Sequence, residues 1–230
     1  MATRDTQNQG GRQRPPMSKE LTAERARIFR VTHAANLRWI LRNGLHCANS
    51  DLRDPDFVPI GNPELISKRR RRALPAPHAG VLGDYVPFYF TPWSPMMFNI
   101  HTGHNGAPRQ QNEDIVVLVS SLERLSDRGV PFVFTDRHAY LQAARFFKDR
   151  ADLGQVNWDI LQRRDFKRDP DNPDKFAQYE AEILAGSPVP IEALLGVACF
   201  NAAALARIEE DKAATGVDIR ALVTPRFYFT

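Results

Sequence analysis

Short runs of β-branched and aromatic residues in the middle of the chain place the strongest limit on its fold. They lie at residues 86–90, 115–119 and 132–134. Each run is bounded by Pro, Gly or Asp, a pattern typical of short strands. Helical patterns are predicted near them, at residues 94–101, 121–128 and 137–149. The middle of the chain is therefore expected to contain both strands and helices, and no internal repeat is found.

A strand that leads directly into a helix is predicted near the start of the chain. Residues 27–32 form the strand, and residues 34–42 form a helix that ends at Asn43 and Gly44. Gly is common just after the last turn of a helix because it tolerates a left-handed backbone. A strand that runs straight into a helix is a common place for a ligand to bind.

The second half of the chain begins with a polar stretch. Residues 154–179 are predicted to form a long irregular loop, and long loops inside compact domains are usually functional. A strand at 197–200, a helix at 202–214 and a strand at 219–229 are expected after it.

Composition predicts one compact domain. The 230 residues are 43% hydrophobic, which is enough to bury a core without metals or crosslinks. Residues 1–22 are rich in Gly, Gln, Arg and Pro and are expected to be a disordered extension, with the domain at 23–230. Two distant cysteines, Cys47 and Cys199, with neither a signal peptide nor a membrane-spanning run, favour a cytoplasmic protein without a membrane partner.

Five consecutive cations, Lys68 to Arg72, follow the start of a short helix at Pro63. A run of like charges is most often a solvated surface, and a binding site for a polyanion is the alternative. The formal net charge of the chain is only +4, so the charge distribution, not the total, favours an anionic partner.

Several common motifs are absent. The chain has no phosphate-binding loop, no Gly-rich dinucleotide fingerprint and no nucleophile elbow. His101 and His104 have a spacing found in metal sites but no carboxylate or thiol nearby, so no metal is expected. Asp136 follows a predicted strand, where it would either cap the next helix or belong to a site.

Six ordered segments together resemble the DarT family of DNA ADP-ribosyltransferase toxins. They lie at residues 29–37, 43–47, 61–66, 84–92, 131–139 and 179–182, and the resemblance runs from about Arg27 to the C-terminus. It implies an α+β fold with two small packed antiparallel sheets and NAD+ bound in the cleft between them. It also implies that the acceptor is a base in single-stranded DNA, typically thymidine, and that a macrodomain antitoxin (DarG-like) removes the modification.

The resemblance assigns catalytic roles to two residues. Glu182 matches the glutamate that engages the nicotinamide-side ribose of NAD+, where a fixed carboxylate stabilises an oxocarbenium ion. Glu180, two positions earlier, is the competing carboxylate, and the family pattern of Ala and Glu before an apolar pair selects Glu182. Arg69 matches an essential arginine over NAD+, which binds phosphates or the modified base; the family mechanism also gives it the role of base.

Further residues along the predicted cleft are expected to bind NAD+. They are Arg30, Val31, Thr32, His33, Asn36, Gly44, Leu45 and Tyr89. Alternatives from the residues alone are a packed histidine at His33 and a plain core aromatic at Tyr89.

DNA is expected to contact the loop before Glu182. The cations Arg163, Arg164, Lys167 and Arg168, together with His138, are the candidates for this role. Phosphate contacts from such residues give affinity, and Tyr140, Phe147 or Phe166 would stack an unpaired base. A solvated loop with aromatics packed in the core is the alternative.

Two other functions fit the same residues. One is an ADP-ribosyltransferase for guanine, RNA or protein, in which the residues around NAD+ would look the same. The other is a nucleic-acid-binding protein without catalysis, which the presence of both Arg69 and Glu182 disfavours.

Overall fold

The computed structural model of the chain describes residues 21–167 and 169–230. Most of the predicted disordered extension, together with Arg168, lies outside the described residues. At the first described residue the chain is already packed, since Leu21 is buried and its carbonyl accepts a hydrogen bond from Gln162.

Eight strands and seven α-helices make up the described part. The strands are β1 (Arg27–His33), β2 (Tyr85–Tyr89), β3 (Ile115–Ser121), β4 (Phe132–Thr135), β5 (Phe146–Phe147), β6 (Glu182–Gly186), β7 (Gly196–Cys199) and β8 (Ala221–Val223). The helices are α1 (Leu37–Asn43), α2 (Pro63–Arg70), α3 (Pro95–Thr102), α4 (Leu122–Asp127), α5 (Trp158–Arg163), α6 (Lys175–Tyr179) and α7 (Ala202–Thr215). The predicted α+β class is confirmed.

All eight strands belong to one sheet, in the order β5-β4-β6-β2-β1-β3-β7-β8. Neighbouring strands are antiparallel except β7 and β8, which are parallel. The prediction of two separate sheets therefore needs correction, because β1 and β2 connect the two halves. They do so at a single register position within the described residues, Phe29 opposite Tyr89.

The sheet opens beyond that register position. On its other side β1 pairs with β3 from Arg27 to His33, so the strand itself is continuous. Towards β2, residues Arg30 to His33 have no register partner, and the Arg30 side chain reaches across to donate to the carbonyl of Pro87 at 3.0 Å. A sheet that separates in this way leaves backbone groups of β1 free along one edge.

The core lies mainly on the central strands. Val116, Val117 and Leu118 in β3 and Ile183 in β6 have no exposed surface. These apolar runs bury both faces of the sheet, which explains why the sequence shows continuous apolar stretches rather than strict alternation.

The prediction of a helix at residues 137–149 is wrong, because the structure has no α-helix there. The Asp136 carboxylate accepts hydrogen bonds from the backbone N–H of Arg145, at 3.1 Å, and from its Nε, at 2.9 Å. These bonds close a turn that leads into β5, where Phe147 lies opposite Phe134. Asp136 is therefore not a helix cap, because a carboxylate that closes a turn competes with helix formation.

Two other regions differ from the sequence prediction. The polar stretch 154–179, expected to be irregular, contains the short helices α5 and α6. The last predicted strand, 219–229, shortens to β8 because Pro225 begins a turn of 3₁₀ helix after it. Within residues 21–167 and 169–230, no helix has the length and apolar character needed to cross a bilayer.

Gly44 ends α1 in a backbone conformation that few other residues adopt. Its φ is +79° and its ψ is −171°, and its N–H donates to the carbonyl of Ile40. A Cβ at this position would lie 2.6 Å from the carbonyl oxygen of Val189. Leu45 then exchanges two backbone hydrogen bonds with Val189, so this contact joins the end of α1 to the segment after β6.

We expect Gly44→Ala to destabilise the fold by about 3 kcal/mol, because backbone strain of this kind costs roughly 1–3 kcal/mol and the Val189 contact adds to it. The matched control is Gly216→Ala, since Gly216 has φ +69° but no atom within 4 Å of an added Cβ. Urea unfolding of both variants measures the difference. Equal losses at the two positions would show that the close contact with Val189 does not matter.

Candidate functional site

A buried ion pair joins α2 to β6. The Arg69 guanidinium donates two hydrogen bonds to the Glu182 carboxylate, at 2.9 Å to Oε1 and 2.6 Å to Oε2. The Glu182 side chain is 0% exposed and the Arg69 side chain 15% exposed. Paired, parallel bonds of this kind fix orientation as well as distance. The two residues predicted to be catalytic are thus in direct contact, although 113 positions separate them in sequence.

Two neighbours from the β4 end hold Glu182 in place. The backbone N–H of Ala139 donates to Glu182 Oε1 at 2.7 Å. The Thr135 hydroxyl accepts from the Glu182 backbone N–H at 3.2 Å and donates to the Arg137 carbonyl at 2.6 Å. The segment Thr135 to Ala139 therefore supports the carboxylate at both its backbone and its side chain, and among these five residues the sequence analysis assigned a site role only to His138.

Arg69 and Glu182 each keep the other in its charged form. Burial alone would raise the pKa of Glu182, but the positive charge of Arg69, with smaller contributions from His138 and the Ala139 N–H, holds that pKa below its ordinary value. Burial alone would lower the pKa of Arg69, and the Glu182 carboxylate raises it instead. Both groups are therefore ionised at neutral pH.

Glu180 has a different electrostatic environment. Burial, together with the negative charge of Glu182, raises the pKa of Glu180 to about 7, while Arg69 acts in the opposite direction. Glu180 is the residue that ends α6, and its backbone N–H donates to the carbonyl of Ala177. Two carboxyl groups close in sequence thus differ in protonation at neutral pH, and Glu182 is the one that carries a permanent charge.

Tyr89 and His138 complete the surroundings of the ion pair. Tyr89 lies opposite Glu182 in the sheet, and burial and the Glu182 charge raise the pKa of its hydroxyl. His138 is buried, with Nε2 3.4 Å from Arg69 Nη1 and Nδ1 accepting from the Tyr140 N–H at 3.3 Å. Burial lowers the pKa of His138, so its imidazole is neutral at pH 7. His138, expected to contact DNA, lies beside Arg69, and that expected role stays a prediction.

Arg30 lies where β1 and β2 separate. Its Nη1 donates to the Pro87 carbonyl, while its Nε is buried with no hydrogen-bond partner among the described residues. Burial lowers the pKa of Arg30 to about 10, and the nearby charge of Arg69 contributes in the same direction. A buried donor without a partner is costly, and a bound anionic or polar ligand would satisfy it.

The other candidates on β1 and the helix after it are arranged around Asn36. Its amide donates to Thr32 Oγ1 at 3.1 Å and to the Val58 carbonyl at 2.9 Å, and its oxygen accepts from the Val58 N–H at 2.8 Å. Asn36 thereby fastens the loop before α2 to the end of β1. Val31 and Thr32 are buried in the strand. His33 is partly exposed, and its Nδ1 accepts from the Ala35 N–H at 3.1 Å, which leaves Nε2 as the donor of the ring.

Gly44 and Leu45 contact Val189 through their backbones, as described above, so in the structure they join the end of α1 to the segment after β6.

The predicted DNA-contacting cations within the described residues differ in their contacts. Arg163 and Lys167 are exposed. The Arg164 guanidinium lies 3.9 Å above the centre of the buried Trp93 ring, a favourable cation–π distance. The loop between α5 and α6 is held by Lys175, a buried residue whose ammonium donates to Asp165 at 2.7 Å and to the Lys167 carbonyl at 2.9 Å. Sequence reasoning missed Lys175, since nothing in a lone lysine signals burial.

The aromatics proposed to stack a base are also divided. Phe166 packs on Tyr179, with ring centres 4.7 Å apart, and Phe147 stacks on Phe134 at 5.3 Å. Tyr140 is partly exposed, with the Arg72 guanidinium 5.7 Å from its ring centre. Phe147 and Phe166 therefore pack against the core, as the alternative interpretation expected. Tyr140 is the remaining candidate for stacking a base near the ion pair.

The described residues, 21–167 and 169–230, hold no cluster of metal ligands. No group of three or more His, Cys, Asp and Glu side chains in that part of the chain is placed to hold a metal ion. His101 and His104 accordingly have no third ligand there.

Comparison with known proteins identifies the family. The sequence profile described as "ssDNA thymidine ADP-ribosyltransferase, DarT" matches residues 29–229. The chain is 47% identical over 193 residues to a DNA ADP-ribosyl transferase of Escherichia coli O127:H6, covering 84% of this chain and 88% of that protein.

Solved structures of Thermus sp. 2.9 DarT share the fold. The structure in complex with ADP-ribosylated ssDNA has a TM-score of 0.80 at 30% identity and covers 90% of this chain and 97% of that one. The complex with NAD+ has a TM-score of 0.77 at 31% identity and covers 90% and 98%. With a buried arginine–glutamate pair at the opening of its sheet and matches along almost all of its described length, the chain belongs to the DarT family of DNA ADP-ribosyltransferases.

Proposed function

We propose that this chain is a toxin that transfers ADP-ribose from NAD⁺ to a ring nitrogen of thymine in single-stranded DNA. The observation that carries the proposal is the Glu182 carboxylate, which is fully buried, ionised and held by Arg69 at the edge of the sheet opening. Relatives that bind NAD⁺ and ADP-ribosylated single-stranded DNA support the same substrates here.

The reaction breaks the bond between the ribose C1′ and the nicotinamide nitrogen, and the bonding electrons leave with nicotinamide. The ribose becomes positively charged in the transition state, and a fixed carboxylate at Glu182 stabilises this charge more than it stabilises the neutral ribose. The thymine ring nitrogen then bonds to C1′, and its proton is released to water. Because Glu182 is held by three donors, its carboxylate needs little reorganisation as charge develops.

NAD⁺ would bind along the open edge of β1. Within the described part of the chain, Arg30 offers a buried Nε–H without a partner, and Arg30 to His33 have no strand partner on the side of β2. Val31 and Thr32 contribute backbone, His33 contributes Nε2–H, and Asn36 shapes the wall of the site through its bonds to Thr32 and Val58. We assign Gly44 and Leu45 to the same wall and Tyr89 to the face beside Glu182.

Arg69 acts as a binding and orienting group, not as a base. Its guanidinium is more strongly held in the protonated form than an ordinary arginine because Glu182 raises its pKa. A protonated guanidinium has only donors, so it orients acceptor oxygens of NAD⁺ or of the thymine ring.

DNA would approach over the α5–α6 side of the site. Arg163 and Lys167 are exposed and suit phosphate contacts, and we assign Arg168 to the same group. Arg164 would serve less directly, since its charge lies over Trp93. His138, beside Arg69, would contact the acceptor base itself.

Two consequences follow for the acceptor and for the cell. A ring nitrogen paired in a duplex cannot reach a buried ribose carbon, and unpairing a base costs a few kcal/mol, so a single strand is the expected substrate. A bulky group on a pairing nitrogen blocks base pairing, so the modification would be toxic unless an enzyme removes it. A macrodomain antitoxin of the DarG type is the partner we assign to that removal.

We expect wild-type protein to label a thymine-containing single strand from NAD⁺ radiolabelled in its adenosine half, and to leave the annealed duplex unlabelled. Labelling is expected to continue in EDTA. Glu182→Gln should reduce it by roughly 10²–10³-fold, the usual effect of removing one group that stabilises transition-state charge. Equal amounts of the two substrates are compared, and mass spectrometry identifies the modified base.

Each other outcome has a definite meaning. Efficient labelling of the duplex, or loss of labelling in EDTA, contradicts the acceptor model. A modified guanine, RNA or protein in a mixed substrate pool means that the acceptor is different. No labelling of any acceptor indicates a nucleic-acid-binding protein without catalysis.

The raised pKa of Glu180 leads to a second prediction, which concerns how stability depends on pH. Between the ordinary value of 4.5 and about 7 the unfolded chain ionises Glu180 while the folded chain keeps it protonated, so the stability that this residue contributes falls as pH rises through that window. Glu180→Gln cannot ionise and is expected to melt roughly 10 °C above wild type at pH 8, because the raised pKa corresponds to about 3 kcal/mol and each kcal/mol to roughly 2–4 °C. At pH 4.5 the two melting temperatures should nearly coincide.

Melting temperatures measured by calorimetry at several pH values check this. A difference between the proteins that does not change from pH 4.5 to pH 8 would mean that Glu180 keeps an ordinary pKa.

A further inference from the structure

The helix that carries Arg69 has no hydrophobic anchor. None of the eight residues of α2 is buried in the described part of the chain; of its two large apolar side chains, Ile66 is 39% exposed and Leu65 is only partly buried. Helices in proteins are normally stabilised by packing of an apolar face. Polar contacts at the two ends of α2 must therefore determine where Arg69 lies relative to Glu182.

The contact at the start of α2 is made by Asn62. Its side-chain oxygen accepts from the Leu65 N–H at 3.0 Å, as a helix cap does, and its amide donates to the Asn105 carbonyl at 2.5 Å. This end lies seven positions from Arg69 and leaves the other end of the helix free to move.

Asn49 makes several of the contacts at the end of α2, beside the bond from Arg70 Nη2 to the Ala48 carbonyl at 2.9 Å. Its amide donates to the Arg70 carbonyl at 3.3 Å and to Asp84 Oδ1 at 2.8 Å, and its oxygen accepts from Arg70 Nε at 3.3 Å. Its backbone N–H donates to the Gly83 carbonyl at 3.0 Å. One side chain thus joins the last residue of α2 to the segment before β2.

The packing at this end is close. A Cβ at Gly83 would lie 2.7 Å from the Arg70 carbonyl oxygen and 2.8 Å from the Arg70 Cα. Asp84 is fixed in turn, because its Oδ2 accepts from the Val81 N–H at 2.9 Å. The backbone of α2 next to Arg69 therefore rests directly on a glycine, with Asn49 closing the contact from the side.

We infer that Asn49 is a positioning residue, which fixes the end of α2 on Gly83 and Asp84 and so holds the Arg69 guanidinium against Glu182. It touches neither substrate nor the reacting atoms, and acts on the reaction through Arg69. Its consequence for catalysis rests on the proposed function, but its effect on the ion pair does not. A small displacement of a group at the reacting centre can lower the rate by about 10²-fold.

The test is the titration of Glu182 in protein without substrates. Wild type, Asn49→Ala and Gly83→Ala are labelled with ¹³C at the glutamate carboxyl carbon, and Glu182→Gln identifies the Glu182 signal. The pKa of Glu182 lies below its ordinary value while Arg69 is in place. We expect it to rise in both variants, and the kcat of DNA labelling in Asn49→Ala to fall by at least about 10-fold while the KM for NAD⁺ changes less.

The matched control is Asn201→Ala. Asn201 also caps a helix, accepting from the Ala204 N–H at 2.9 Å, and it donates to Glu113 at 3.1 Å, but it lies at the start of α7 and contacts neither α2 nor Glu182. We expect it to lower the melting temperature without changing the Glu182 titration.

An unchanged Glu182 pKa in Asn49→Ala overturns the inference, and so does an equal rise in the Asn201→Ala control. If the pKa rises as expected but no protein labels DNA, the inference stands and the proposed function fails, so the two are tested separately.

Discussion

The paired hydrogen bonds between Arg69 and Glu182 are the interaction on which the site depends. A carboxylate with no exposed surface would ordinarily bind a proton, and here the adjacent guanidinium keeps it ionised. Burial of such a pair often contributes little net stability, whereas removal of one partner leaves a buried charge and is strongly destabilising. The stability of the fold therefore explains this ion pair less well than the need for a carboxylate that stays ionised at a site from which water is excluded.

The sheet determines where the Glu182 carboxylate lies. A single register pair, Phe29 opposite Tyr89, joins the two halves, and the same Tyr89 lies opposite Glu182 on its other side. The Glu182 carboxylate is thus one strand away from the point where β1 and β2 separate. Tyr89 of β2 therefore connects the strand junction to Glu182, and the open edge of β1 and the carboxylate lie on its two sides.

Sequence reasoning found the two central residues for identifiable reasons. Glu182 and Arg69 lie in segments that resemble the DarT family, and the structure places the two side chains in direct contact, while their catalytic roles stay a prediction. Most strands were predicted because runs of β-branched residues between Pro, Gly and Asp reflect a local preference of the chain for strand structure.

Interactions between distant residues were not predictable in this way. The helix expected at 137–149 failed because Asp136 bonds to Arg145, a contact that no local pattern announces. Asn49 and Lys175 act through tertiary contacts alone.

The most direct test of the central claim is a double-mutant cycle on the stability of Arg69→Met, Glu182→Gln and the combined variant in urea. If the two side chains form one buried ion pair, each single change is expected to cost about 3–5 kcal/mol, because it leaves its partner charged and buried. The combined change should then cost much less than the sum, with a coupling free energy of about 2 kcal/mol or more. Additive losses would contradict the account, since they would mean that Arg69 and Glu182 do not depend on each other.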